Sequence, residues 1–200
     1  MIAFTTSILS SGTFCSSTVS HVSHINTFTK STFHAIPHRS NNRASSLSLL
    51  KMQDDKTIVE EYFNNTGFER WNKIYSEDKT INTVQQDIRT GHNQTVQVIL
   101  NWIDEDKNAN ELTFCDAGCG VGSLSIPLAK RQAKFVSASD ISQAMVKEAR
   151  SRAEMELDAN ALSKIEFTTK DLESIDGVYD TVCCIDVMIH YPDEKIAEMI

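Results

Sequence analysis

The sequence predicts an α/β fold with a doubly wound parallel sheet, and two observations carry this prediction. From residue 112 onward, short apolar runs alternate with amphipathic helical segments. Strands and helices at this spacing form βαβ units with right-handed crossovers, which place helices on both faces of a parallel sheet. A glycine-rich turn at 118–122 joins the first run to its helix, and such folds bind ligands at the carboxyl ends of their strands.

Helical segments precede the sheet. Thr57 and Glu60 form a Thr-x-x-Glu capping box, which predicts the start of a short helix. Its apolar residues are Ile58, Val59, Tyr62 and Phe63. After a break at 64–67, a second helix has one face formed by Phe68, Trp71, Ile74 and Tyr75. A longer third helix has a stripe of Val84, Ile88, Val96, Ile99, Leu100 and Ile103. Residues 104–110 are predicted to be a polar linker.

The sheet region contains four predicted strands and three predicted helices. The strands are 112–116, 135–139, 165–168 and 179–186, and the helices are 123–131, 143–155 and 193–200. The fourth strand is the most apolar, as is typical of a central parallel strand that is covered on both faces.

Charge is distributed unevenly along the chain. The first 53 residues carry four basic and no acidic residues, so the remaining 147 carry 15 basic and 27 acidic residues, a net charge of −12. An acidic body excludes a non-specific nucleic-acid binder, which needs a cationic surface. The acid-free, Ser- and Thr-rich segment 1–53 is typical of an organellar transit peptide, and we expect it to be disordered. The predicted division is 1–53, a helical region at 54–110 and a ligand-binding region at 111–200.

The five cysteines do not predict a disulfide framework or a zinc site. Their number is odd and their spacing irregular. Cys115 and Cys119 are four residues apart, but no matching Cys or His pair follows. We expect the cysteines to be small buried residues of the fold.

The glycine loop is the sharpest local signal. It reads Asp116-Ala-Gly118-Cys-Gly120-Val-Gly122 and directly follows the first strand. In a dinucleotide fingerprint that starts at Gly118, the third small position is Ser123 rather than glycine. The acid at the strand end would repel a pyrophosphate and suits a cationic ligand, such as the amino group of S-adenosylmethionine. An NAD-dependent oxidoreductase is therefore disfavoured.

Three further acids follow the next strands. Asp140 ends the second strand, 22 positions after Gly118, where a carboxylate accepts both ribose hydroxyls of a nucleoside. Asp140 could equally cap the next helix, as could Ser142. Asp171, followed by Leu172, is placed to meet an adenine edge, and Asp186 ends the fourth strand.

The loop and these acids together resemble the class I S-adenosylmethionine-dependent methyltransferases, which have a Rossmann-like sheet. Seven stretches resemble more specifically the magnesium-protoporphyrin IX methyltransferases of chlorophyll biosynthesis. These stretches are 62–71, 74–75, 87–92, 137–142, 170–173, 179–182 and 186–192. The resemblance covers essentially all of 54–200 and implies that the amino-terminal helices form a lid over the cofactor.

The resemblance implies esterification of one propionate of magnesium protoporphyrin IX, with S-adenosylmethionine as methyl donor. A propionate is already ionised at neutral pH, so alignment and exclusion of water are the main tasks of such a site. No metal site in the protein is expected, because the magnesium arrives in the substrate.

The resemblance also implies roles for particular residues. His190 and Tyr75 are the expected catalytic groups, which hold the carboxylate in line with the methyl group. Asp140 with Ile141, Asp171 with Leu172, and Tyr62 are expected to contact the cofactor. Phe63, Phe68 and Trp71 are expected to pack in the lid, and the roles of Arg89 and His92 stay open.

The chain departs from the family in length. Family members have seven strands ending in an antiparallel hairpin, whereas four are predicted before Ile200. We therefore expect a fragment that lacks its carboxyl-terminal strands, exposes a central strand, and folds poorly or turns over little.

Two alternatives to a porphyrin methyltransferase stay open. One is a class I methyltransferase that acts on a quinone or a small carboxylic acid, and the other is an inactive cofactor-binding fragment. The resemblance implies a plastid location. It leaves open peripheral association with thylakoid or envelope membranes and contact with other enzymes of the chlorophyll pathway.

Overall fold

Strands and helices alternate through the carboxyl-terminal half of the chain, as the sequence predicts. A computed structural model describes residues 2–5, 31–33, 56–76, 80–106, 108–191, 193 and 196–197. Apart from two short strands, the predicted leader 1–53 lies outside the described residues, and most of the predicted last helix does too.

The helices form two groups. Three precede the sheet: α1 (56–64), α2 (Thr66–Ile74) and α3 (Thr83–Asp106). Three alternate with strands: α4 (Ser125–Lys130), α5 (Gln143–Glu156) and α6 (Ala159–Leu162). Short 3-10 turns occur at Ala109–Glu111, Leu172–Ser174 and Met188–His190. In the described parts of the chain, no helix has both the length and the apolar character needed to cross a bilayer.

Two sheets are described. The strands are β1 (Ile2–Thr5), β2 (Ser31–Phe33), β3 (Thr113–Ala117), β4 (Phe135–Asp140), β5 (Ile165–Thr169), β6 (Gly177–Tyr179) and β7 (Thr181–Ile185). The main sheet is parallel, with the order β1-β7-β3-β4-β5, and β2 pairs antiparallel with β6. The order turns back at β3, because β4 and β5 lie on one side of it and β7 on the other. Ligands bind at such a switch point, beyond the carboxyl ends of the strands.

The core covers both faces of the sheet, because successive residues of a strand point to opposite sides. Phe114 and Cys183 pack in one cluster with the buried stripe of α3, which is formed by Val96, Ile99, Leu100 and Ile103. Cys115, Val182 and Cys184 pack in another cluster. The four cysteines in the described ranges are buried free thiols, as expected for them.

The predicted stripe of α3 is wrong at its first member. Val84 is 59% exposed, because the buried cluster begins at Val96 and the first turn of the helix lies beyond it. The helix also continues to Asp106, into the predicted linker. At the start of the helical region, α1 already includes residue 56. Thr57 therefore lies in the first turn and is not the predicted N-cap.

The predicted strand 179–186 is interrupted. Asp180 lies between β6 and β7, and its carboxylate accepts hydrogen bonds from the backbone N–H (2.9 Å) and the hydroxyl (2.8 Å) of Thr113. Its own N–H donates to the carbonyl of Thr113 at 3.0 Å. These bonds hold a turn at Asp180, so that β7 joins the main sheet whereas β6 does not.

The outer edge of β7 is paired with β1, a strand of the predicted leader 1–53. Both the expected exposed strand and the expected disorder throughout the leader are therefore contradicted. The register runs from Ile2 opposite Val182 to Thr5 opposite Ile185. Backbone N–H and C=O groups of β7 that would otherwise face water are hydrogen-bonded in this way.

Candidate active site at the carboxyl ends of the strands

A cavity of about 290 Å³ lies between the amino-terminal helices and the carboxyl ends of the parallel strands. This volume is near the lower end of typical ligand pockets, roughly 300–1,000 Å³. Nine of the residues that the sequence predicted for the site line it. They are Tyr75, Gly118, Gly120, Asp140, Ile141, Asp171, Leu172, Asp186 and His190.

The glycine loop forms the floor of the cavity. Gly118 has φ 84°, a left-handed conformation that favours glycine. A Cβ atom at this position would lie 2.2 Å from Cγ2 of Val187, so a side chain has no room. The N–H groups of Gly118 and Cys119 both donate to the carbonyl of Ser139 at 2.8 Å, which fixes the loop to the end of β4.

Asp140 is held by two backbone hydrogen bonds. Its Oδ2 accepts from the N–H of Gly120 at 2.9 Å, and its Oδ1 accepts from the N–H of Ser142 at 2.8 Å. Burial raises the pKa of Asp140, and these two bonds oppose the shift. The N-cap of α5 is Ser142, whose Oγ accepts from the N–H of Met145 at 3.2 Å. Asp140 is thus left to face the cavity, which is lined by its side chain.

Asp116 and Gly122 do not line the cavity, although the sequence placed both in the cofactor site. Asp116 is 2% exposed and accepts a short hydrogen bond from the hydroxyl of Ser125 in α4. Burial raises the pKa of Asp116 to about 6, against the opposing effects of Ser125 and His92. Gly122 has φ 86° and packs against Ile126. Both residues contact α4 rather than the cavity, and they support the loop from that side.

Asp171 forms an ion pair with a residue of the first helix, α1. Nζ of Lys56 lies 2.8 Å from Oδ2 of Asp171 and 2.5 Å from Oε2 of Glu173. Asp171 also accepts from the N–H of Ser174 at 2.8 Å. Burial raises the pKa of Asp171, but its bonds with Lys56 and Ser174 outweigh burial and lower the pKa below its ordinary value.

Asp186, His92 and Tyr75 form a connected group. Oδ2 of Asp186 lies 3.1 Å from Nδ1 of His92. The ring of Tyr75 lies on that of His92, with 4.4 Å between centroids and 38° between planes. Burial raises the pKa of Tyr75, as do the charges of Asp186 and Asp140, so its hydroxyl stays neutral and can donate a hydrogen bond.

His190 lies at the rim of the cavity beside α1. Its ring contacts that of Phe63 edge-on at 5.3 Å. Burial of part of the ring lowers the pKa of His190, and the charge of Asp186 opposes the shift. Tyr62, predicted to touch cofactor, is 37% exposed and does not line the cavity. It packs edge-on against Phe63 at 5.1 Å and close to Gly67.

Sequence reasoning left the cavity role of His92 open, although a signal was available. His92 lies four residues after Ile88 and four before Val96, on the stripe of α3 that faces the sheet, and it is 8% exposed. Phe63 and Trp71, expected only to pack in the lid, also line the cavity. Arg89 does not line it, and donates instead to the carbonyls of Ile74 (2.5 Å) and Lys73 (3.0 Å) at the end of α2.

Acidic residues outnumber basic ones among the residues that line the cavity. The acidic residues are Asp87, Asp140, Asp171 and Asp186, of which Asp171 is paired with Lys56. The basic residue is Lys170, which forms an exposed ion pair with Asp176 at 3.1 Å. A sulfonium is stabilised by such carboxylates. A bound cation would in turn offset the repulsion that these groups exert on an anionic acceptor.

Comparisons with known proteins agree with this geometry. A family model described as a methyltransferase domain matches residues 114–200. The crystal structure of magnesium protoporphyrin IX methyltransferase from Synechocystis PCC 6803 with bound SAM is 49% identical, with a TM-score of 0.68. The match covers 80% of this chain and 71% of that one. The chain belongs to the magnesium protoporphyrin IX methyltransferase family. Its Rossmann-like methyltransferase fold is thereby confirmed.

Two curated members of the family match over nearly the same length. The chloroplastic magnesium protoporphyrin IX methyltransferase of Arabidopsis thaliana is 56% identical over 146 residues. The magnesium-protoporphyrin O-methyltransferase of Synechocystis sp. is 53% identical over 147 residues. These matches cover 73% and 74% of this chain but 46% and 62% of the relatives. The chain thus spans about half to three-fifths of the length of the relatives it matches.

Proposed function

We propose that this chain carries the donor-binding site of an S-adenosylmethionine-dependent O-methyltransferase, which esterifies a propionate carboxylate of magnesium protoporphyrin IX. One observation carries the proposal. The match to the Arabidopsis methyltransferase extends over 146 residues, whereas 114–200 contains only 87. Similarity therefore continues beyond the general methyltransferase region into the amino-terminal helices that supply Tyr75 and His92 to the cavity.

The donor would lie across the carboxyl ends of β3, β4 and β5. We assign its ribose hydroxyls to Asp140 and its adenine edge to Asp171 and Leu172, all of which line the cavity. The backbone at Gly118 and Gly120 lets the donor approach closely. The cationic methionine end would face Asp186, the acid at the end of β7.

The reaction needs no base. An oxygen of the ionised propionate attacks the methyl carbon, the carbon–sulfur bond breaks, and its electron pair stays on sulfur. A cation and an anion become two groups without charge at the reacting atoms. A site that excludes water favours this loss of charge, because the reactants are better solvated by water than the transition state is. Tyr75 and His190 would align the carboxylate, each as a neutral hydrogen-bonding group.

The acceptor distinguishes this proposal from its alternatives. The complete gene product would be incubated with S-adenosylmethionine and equal concentrations of magnesium protoporphyrin IX, a catechol quinone precursor and a small aliphatic carboxylic acid. We expect the porphyrin monomethyl ester as the main product. A faster reaction with either of the other acceptors would contradict the assigned substrate, and donor binding without any product would favour a non-catalytic binding protein.

A plastid location is part of the same proposal. The Arabidopsis relative is described as chloroplastic, and the acid-free segment 1–53 has the composition of a transit peptide. Residues 1–53 fused to a fluorescent protein should accumulate in chloroplasts. Diffuse cytosolic fluorescence would contradict this assignment without affecting the proposed chemistry.

A further inference from the structure

Asp186 occupies an uncommon backbone conformation at the centre of the site. It directly follows β7 and has φ 58°, in the left-handed region that side chains rarely adopt. Such conformations persist where the surrounding structure holds them, and they occur often at functional sites. The side chain is 19% exposed and lines the cavity.

His92 is one partner that the structure gives to Asp186. It lies 94 positions away in the sequence, on α3, and its Nδ1 is 3.1 Å from Oδ2 of Asp186. An ionised carboxylate only accepts hydrogen bonds, so Nδ1 of His92 must carry the proton. Nε2 of His92 is buried and has no hydrogen-bond partner within the described ranges. The tautomer is thus set by Asp186 alone.

The ring of His92 makes a second contact, with Tyr75. Tyr75, the C-cap residue of α2, lies on it at 4.4 Å, and Trp71 stacks on Tyr75 at 5.6 Å. His92 therefore contacts two groups that reach the cavity from different directions, one from the helical lid and one from the sheet.

We propose that His92 is a positioning residue for methyl transfer, which holds the carboxylate of Asp186 toward the donor and the ring of Tyr75 toward the acceptor. The proposal rests on the proposed function. It assigns His92 no bond to the reacting atoms and no proton transfer. Its contribution is alignment, and a misplacement of about 1 Å in such a site costs about 100-fold in rate.

A pair of substitutions separates this role from simple packing. In His92→Asn the amide nitrogen falls near the position of Nδ1 and can still donate to Asp186. In His92→Gln the amide reaches the position of Nε2, and the bond to Asp186 is lost. Both changes remove the ring and its contact with Tyr75, so the two variants differ mainly in the hydrogen bond to Asp186.

The experiment uses the complete gene product. For His92→Gln we expect kcat to fall about 30-fold or more, and for His92→Asn to fall several-fold less. S-adenosylhomocysteine affinity, measured by calorimetry without any acceptor, should follow the same order with smaller changes. Equal losses in the two variants, or no loss in either, would overturn the proposal. The thermal midpoints of the two variants should match each other, so that their difference in kcat reports the bond to Asp186 rather than a difference in packing.

A second measurement needs no variant. Nitrogen-15 spectra of histidine-labelled wild-type protein should show His92 protonated at Nδ1, and a His92 protonated only at Nε2 would overturn the proposal. If wild-type protein forms no porphyrin ester, the proposed function fails. The affinity order and the tautomer still decide the role of His92 toward Asp186.

Discussion

Nζ of Lys56 lies 2.8 Å from Oδ2 of Asp171, which joins the start of α1 to the loop that follows β5. The other end of α1 is joined to the start of α5, because the hydroxyl oxygen of Ser142 lies 3.0 Å from both the carbonyl of Phe63 and the amide oxygen of Asn64, which share its one proton. The helix is thus attached on both sides of the cavity, and its inner residues Val59 and Phe63 line the cavity between. Helix α1 is therefore a cover over the cavity, attached by an ion pair at one end and by hydrogen bonds between neutral groups at the other.

Lys56→Met should loosen this cover. Hydrogen exchange in residues 56–64 should become faster, and S-adenosylhomocysteine should dissociate about threefold faster or more, since local opening releases the ligand. High salt should have the same effect on wild-type protein and little effect on the variant, because ion pairs at partly exposed positions are screened. Lys130→Met is the matched control, since its exposed pair with Glu156 lies on α4 and α5 outside the cavity lining. Equal rates in both variants would show that Lys56 does not hold the cover.

Gly118→Ala should destabilise the fold strongly. The left-handed φ of 84° costs roughly 1–2 kcal/mol for an alanine. Overlap of the new Cβ with Val187 adds roughly 1–3 kcal/mol. Gly91→Ala is the control, because this glycine lies inside α3 with open space around it. The free energy of unfolding of this variant should rise by roughly 0.5–1 kcal/mol. Urea denaturation of both variants measures these changes. A Gly118→Ala variant as stable as wild type would contradict the described loop.

Asp116 should make stability depend on pH. Its pKa of about 6 in the folded state is above the 3.8 of an ordinary aspartate, so the folded protein binds this proton more tightly than the unfolded chain does. The contribution of Asp116 to stability is therefore present below about pH 4 and is lost as pH rises through 6, by about 3 kcal/mol in total.

The comparison with Asp116→Asn isolates this effect. The stability of the wild type relative to the variant should fall between pH 4 and pH 7, as measured by denaturant unfolding. A constant difference across this range would mean that Asp116 titrates as an ordinary aspartate. The hydroxyl of Ser125 donates to this carboxylate, so Ser125→Ala should raise the folded-state pKa and enlarge the fall.

Tyr75→Phe and His190→Ala should lower turnover far more than donor affinity. Each change removes a group proposed to align the acceptor carboxylate and leaves Asp140 and the glycine loop intact. Loss of one such hydrogen bond costs roughly 100-fold in kcat, while S-adenosylhomocysteine affinity should stay within about threefold. Tyr179→Phe is the control, since its hydroxyl donates only to the carbonyl of Asp176 at the surface. Normal turnover in both site variants would remove them from the mechanism.

The parts of the site that could be predicted from the sequence are those that depend on residues close together in the chain. The glycine spacing around Gly118 and the acid at Asp140 identify the loop and the strand end, because each follows an apolar run and precedes a helix. The interruption at Asp180 could not be predicted. It depends on hydrogen bonds to Thr113, 67 positions away, within an otherwise continuous apolar segment.

Contacts between distant segments explain the remaining differences. His92 could be placed on the buried stripe of α3, but its bond with Asp186 depends on how that helix packs on the sheet. Tyr62 and Phe63 are neighbours on α1, and only the packing of α1 on His190 decides that Phe63 faces inward while Tyr62 does not. The pairing of β1 with β7 has no signal in the composition of the leader.

The central claim is methyl transfer from a sulfonium to a porphyrin propionate in this cavity. The most direct measurement uses S-adenosylmethionine with a deuterated methyl group, magnesium protoporphyrin IX and the complete gene product, followed by mass spectrometry of the porphyrin. We expect one trideuteromethyl group per porphyrin, carried on a propionate as an ester that mild base removes. An unlabelled porphyrin, or a label that resists base, would contradict it.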